Sequence, residues 1–176
     1  MLGTSIYLLV FRILHITAGV AWGGAVFLLV FFLQPASASL GPAAGPFLGE
    51  LLGRRKLVDA ILWVAAFTVG AGLFLYWHDW QTYGSLGHFL DTGFGLSLTI
   101  GAASALVAFL IGLFGTKPNV DRLMRLAAQV AEAGGSPPAG VAAEIPAIQA
   151  RLKTLARVGL TLIVVAVVAM ATARYW

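Results

Sequence analysis

The chain contains no cysteine, which removes disulfides, Cys-based zinc sites, thiolate copper sites and thiol catalysis at one stroke. Charge is the second scarcity. Only 10% of the 176 residues are Asp, Glu, Lys or Arg, against about 25% in a typical soluble domain. So little charge cannot cover a water-facing surface, and the 60% hydrophobic content points to lipid as the solvent. No paired carboxylates stand within the apolar runs, no Ser-His-Asp arrangement is evident, and no Gly-rich phosphate loop follows a strand pattern. Soluble-type hydrolysis and nucleotide chemistry are set aside on those grounds.

What the sequence has instead is four long apolar runs. A helix needs roughly 20 mostly apolar residues to cross the hydrocarbon core. Segments of about 6–33, 57–77, 94–114 and 155–173 qualify. No alternating apolar pattern supports strands. The reading is an all-α polytopic membrane protein, a single domain built as a four-transmembrane-helix bundle. The first run is expected to be a retained span. Ala36-Ser37-Ala38 resembles a signal cleavage site, but no Lys or Arg precedes the run, which is about twice the length of a signal core.

The connections differ. The first span is expected to stop at Gln34-Pro35, with 34–53 a loop rich in Pro, Gly, Ala and Ser. Residues 78–93 read as a short loop. Between spans three and four, Val120, Leu123, Met124, Ala127 and Val130 recur at helical spacing, so this loop is expected to be helical. The run Gly134-Gly135-Ser136-Pro137-Pro138 should break that helix. From Pro146 a second helical pattern leads into span four.

Nine of the eleven basic residues fall on one side: Arg54, Arg55, Lys56, Lys117, Arg122, Arg125, Arg151, Lys153 and Arg157. By the positive-inside rule that side is cytoplasmic and both termini are outside. The same distribution explains the formal charge of +4 without a nucleic-acid partner. Trp77, Trp80, Tyr83, Tyr175 and Trp176 form an aromatic belt at the outer interface. Asp59 is expected to pair with Arg55 or Lys56.

Helices in lipid associate by close approach of small residues. Gly19 and Gly23, Ala66 and Gly70, and Gly101, Ala105, Ala108 and Gly112 are the candidate contact faces.

Ionisable groups inside a span are costly, about 2.5–3.5 kcal/mol for Arg at a helix centre on insertion scales, and so mark candidate sites. Arg12 and His15, with Gly19 and Trp22, share one face of the first span. Arg12 either looks into the bundle or snorkels outward. His15 stands about 15 Å below the outer edge by helix rise. His78 ends span two on the same side, His88 follows in the loop, and Met170 lies in the last turns of span four. Imidazole and thioether suit haem iron or copper, so His15 with Met170, or with His78, is the candidate cofactor or metal site. The alternative is a histidine that packs helices by hydrogen bonding.

The stretch Arg12-Ile-Leu-His15-Ile-Thr-Ala-Gly-Val-Ala-Trp22-Gly23-Gly24, followed by an apolar run to Pro35, resembles the first-helix signature of the copper resistance protein D superfamily. Arg54-Arg55-Lys56 and the ending Met170-Ala-Thr-Ala-Arg174-Tyr175-Trp176 are similar to small bacterial members. The resemblance implies a bacterial inner-membrane protein. Its relatives include copper-uptake proteins and a membrane protoporphyrinogen oxidase that binds haem b. In that oxidase a first-helix His, matching His15, and a Lys in the third span are tied to function. Here the third span has no Lys, a departure from the oxidase pattern that leaves haem at His15 open, and for copper uptake the chain offers only Met170 near the outer half. The other reading is a cofactor-free accessory subunit packed against further membrane subunits or a second copy of itself.

Overall fold

The computed structural model describes residues 2–134, 136 and 138–176. Gly135 and Pro137 of the expected helix break lie outside the described residues. Among the described residues there is no strand, and four helical stretches are long and apolar enough to cross a membrane. The chain is an all-α helical bundle, and its apolar helices make contact with the lipid bilayer.

Helix α1 (Leu2–Leu28) runs on through a π-helical stretch, Leu29–Leu33, into α2 (Gln34–Leu40). The expected stop at Pro35 does not occur. A proline ring clashes with the carbonyl four residues earlier in a regular α-helix. The wider π-turn just before Pro35 relaxes that ladder, and the Ser37 hydroxyl donates to the Leu33 carbonyl at 2.7 Å. The helical path breaks first at Gly41, whose φ of 54° and ψ of −131° suit glycine alone, and again at Lys56, in left-handed conformation, before the next long helix. A 3-10 turn (Gly41–Ala44), α3 (Gly45–Leu48) and a second π-stretch (Gly49–Arg54) complete the connection, so the segment expected to be a loop is largely helical.

Helix α4 (Leu57–Thr82) is followed by the short α5 (Leu86–Leu90) and by α6 (Gly93–Leu110). The device at Pro35 recurs here: a π-stretch at Ile111–Thr116 precedes Pro118 and carries α6 into α7 (Lys117–Glu132). Asn119 Nδ2 donates to the Gly115 carbonyl at 2.6 Å, closing the disturbed turn. Helix α8 (Ala139–Thr172) contains Pro146 and runs from the basic end to the far side of the bundle. At 34 residues it is about 51 Å long, well beyond a hydrocarbon core.

Helix α1 packs along α4 and α6 along α8, with α4 against α6 and a thinner seam between α1 and α8. Each of the four spanning helices gives one residue to the central core: Trp22, Ala65, Ala108 and Ile163. The end away from the basic clusters is closed by α5, whose fully buried Phe89 packs edge-on to Tyr76, Tyr83 and Phe94. Large apolar side chains cover the outside instead, with Trp63 and Phe67 more than two-thirds exposed. In water such a surface is an aggregation hazard. In a bilayer it is the solvated face.

Glycine places the crossings. Gly19 faces Thr68, Gly23 faces Ile163, and Gly112 faces Leu62. Gly70, expected to pack, has nothing within 4 Å of where a side chain would start. Gly72, two residues on, is the packed one. Asp59 also differs from expectation. It pairs with Lys117 at 3.2 Å rather than with Arg55 or Lys56. Lys117 holds Asp121 as well, at 2.6 Å, while Arg54 and Arg55 hold Glu50 at 3.1 and 2.9 Å.

Candidate functional site

His15 is held by the span it faces. Its Nδ1 lies 2.8 Å from the Thr68 carbonyl oxygen of α4. A carbonyl can only accept, so Nδ1 carries the proton and donates. That assignment leaves the lone pair of a neutral ring on Nε2, where it is available to a ligand. The Thr68 hydroxyl is already committed, donating to the Val64 carbonyl at 2.9 Å, so it does not compete for the ring.

The ring comes close to α4 because position 72 is glycine. A methyl group there would stand 2.7 Å from Cε1 and 2.9 Å from Nδ1 of His15. One turn further out, Phe11 and Phe74 stack at 4.2 Å and continue the α1–α4 seam. One turn further in, Gly19 lets α4 approach so that Thr68 comes within reach. Trp22, on the same face, is 6% exposed and belongs to the core rather than to the lining of His15.

Met170 is seated in the same way on the other helix pair. A methyl group at Gly101 would stand 2.7 Å from Met170 Cγ and 3.2 Å from its Cε. Gly23 of α1 packs on Ile163 of antiparallel α8. Two turns further out on both helices, His15 and Met170 stand at about the same depth. The structure thus brings an imidazole and a thioether to one level, each backed by a glycine of its neighbour.

The chain has no match among family models, curated proteins or solved structures.

The other candidates lie elsewhere. His78 is six residues beyond Gly72 on α4, about 9 Å further out by helix rise, so the two histidines do not share a level. Its Nδ1 is buried without a hydrogen bond and is 3.9 Å from Asp79 Oδ1. His88 is exposed on α5, with its ring beside Tyr83. Arg12 is exposed and, among the described residues, has no carboxylate within ion-pair distance, although its charge reaches Asp79. Among the described residues no cluster of three or more His, Asp or Glu could hold a metal by itself.

Thr68 and Gly72 were missed in the sequence. They stand four apart on one face of the second span, but apolar periodicity does not single them out. Tyr76 is another case. It shares a 2.7 Å hydrogen bond with Thr99, a direct polar link between α4 and α6.

Proposed function

We propose that the protein is a multi-pass protein of a bacterial-type inner membrane, both termini outside, that binds haem b or a copper ion at His15 for electron transfer or metal handling near the outer face. The observation that carries this reading is the hydrogen bond from His15 Nδ1 to the Thr68 carbonyl. Metal-ligating histidines commonly donate their second ring nitrogen to a carbonyl, which fixes the tautomer and raises the basicity of the ligating nitrogen. Met170, at the same depth, supplies a soft thioether. That donor pair suits cuprous copper or haem iron and suits hard cations poorly.

In such a centre Nε2 of His15 would be the anchoring donor, and Met170, at the same depth on α8 but seated against Gly101 of α6, would be the candidate second. When bound, the metal supplies a one-electron couple or a transferable ion. The protein's share is to orient the imidazole through its bond to Thr68 and to keep water from the centre by the packed layers above and below. Arg12, one turn outward from His15, adds positive charge on the approach from the outer side.

The second reading is a cofactor-free accessory subunit. It is favoured by the fact that the Thr68 bond serves a purely packing histidine equally well. The test is the absorption spectrum and metal content of protein purified in mild detergent, before and after loading with haem or copper(I). The proposal expects a Soret band or about one copper per chain, lost in His15→Ala and altered in Met170→Leu. A colourless, metal-free protein that takes up neither group favours the accessory subunit.

A further inference from the structure

The inner half of the bundle holds a cavity that the His15 site does not use. It has a volume of about 80 Å³ and is lined by all four spanning helices. Trp22, Ala65 and Ala108 stand at its deep end, Gly112 and Gly159 along its walls, and Thr116 at the basic end. Thr116 brings the only side-chain hydroxyl in the lining.

Two observations show that the space is built into the fold. Gly159 is buried, yet a methyl group on it would meet nothing within 4 Å. A buried glycine facing empty space marks a real void. The void also lies where α1 and α6 change to π-helix, at Leu29–Leu33 and Ile111–Thr116. Leu29, Ile111, Gly112 and Thr116 of those widened turns are part of the wall.

The shape is that of a narrow slot. From Ala108 to Thr116 is eight residues, about 12 Å along the helix. The 80 Å³ open to the centre of a water molecule over that length is a track roughly 3 Å wide, about 6 Å from wall to wall once the water's own radius is added, which is the width of one hydrocarbon chain. A carbon-lined cavity excludes water and takes apolar guests. At the polar end, Lys117 is already held by Asp59 at 3.2 Å and Asp121 at 2.6 Å. The slot therefore offers a hydroxyl there in place of a free cation, which suits a neutral ester better than the carboxylate of a fatty acid.

We propose that this slot seats one acyl chain of a bilayer phospholipid from the leaflet at the basic end, with its ester region near Thr116 and its methylenes reaching toward Trp22. The chain fills what the glycines leave open and is an integral part of the packed bundle.

The experiment uses Trp22 as the reporter. A protein keeping Trp22 alone (Trp63→Phe, Trp77→Phe, Trp80→Phe, Trp176→Phe) is reconstituted in vesicles of dioleoyl phosphatidylcholine or of the same lipid dibrominated at mid-chain. Bromine quenches tryptophan on contact. Buried Trp22 is expected to be quenched by the brominated lipid, and Gly159→Leu, which fills the slot, is expected to abolish that quenching. A matched protein keeping only Trp63, which faces lipid directly, must stay quenched with and without Gly159→Leu. That control shows that the variant is folded and inserted, and Ala108→Val provides a second filling if it is not. Trp22 emission indifferent to bromine, or quenched equally after filling, overturns the proposal.

Discussion

Adding one methyl group at Gly72 tests how His15 is held. The methyl would stand 2.7 Å from Cε1 of the ring, whereas carbon atoms rest at about 3.5–4.0 Å. The ring must therefore retreat by roughly 1 Å. That movement stretches the Nδ1 bond from its 2.8 Å to about 3.6 Å, at which no hydrogen bond remains. Overpacking of this kind costs about 1–3 kcal/mol, and an interhelical hydrogen bond in a membrane bundle is worth about 0.6–1.7 kcal/mol. Against these stands the better helix propensity of alanine, about 1 kcal/mol. The net expectation for Gly72→Ala is a loss of roughly 1–3 kcal/mol, together with weaker cofactor retention. Reversible unfolding in mixed micelles measures it. Gly70→Ala is the internal control, because nothing lies within 4 Å of that position, and it should be neutral or slightly stabilising. The decisive arm is a double-mutant cycle with His15→Ala. With the ring gone, Gly72→Ala should lose its cost. An equal cost in both backgrounds would refute the packing of His15 on Gly72.

Three further outcomes are expected. Gly95→Ala drives a methyl group into the Phe89 carbonyl, a backbone atom with no freedom to move. It should open the outer end, read as faster hydrogen exchange over 86–99 and a lower melting temperature. Lys117→Met leaves Asp59 and Asp121 facing each other without their shared cation. Because the lysine is part-exposed, the loss should be modest, about 1 kcal/mol, and should be largely recovered by adding Asp59→Asn in the same unfolding assay. A topology reporter fused after Trp176 should be active outside the cytoplasm, as the basic clusters require, and cytoplasmic activity there would reverse the orientation.

The four spans were legible because composition alone sets them: runs of about 20 apolar residues have no other solvent than lipid. The helical connection was legible from Val120 to Val130 for a related reason, since Val120, Leu123, Met124 and Val130 do fall on its packed side, although Leu126, fully buried, lay outside the expected stripe and Ala127, within it, is exposed. Pro35 misled. A local rule reads proline as a stop, and the π-turns that carry α1 past Pro35 and α6 past Pro118 depend on tertiary packing that no window of sequence displays. Gly70 and Gly72 show the same limit at finer scale. Two positions apart on a helix point to nearly opposite faces, and hydropathy is uniform around a lipid-embedded rod, so nothing local distinguishes the packed glycine from the free one. Asp59 was assigned to its sequence neighbours, yet its partner comes from a helix nearly sixty residues away. His15 stood out because a titratable ring in an apolar run is rare. Its anchor at Thr68 was hidden because backbone carbonyls carry no sequence signature.

The tautomer of His15 is the most direct measurement of the account. Long-range 1H–15N spectra of histidine-labelled protein in detergent, with His78→Asn and His88→Asn to isolate the resonance, report which ring nitrogen carries the proton. The bond to Thr68 requires a protonated Nδ1, and the proposed centre requires that loading with copper(I) shift Nε2 most. A ring protonated on Nε2 and bare on Nδ1 would contradict both the bond to Thr68 and the metal centre built on it.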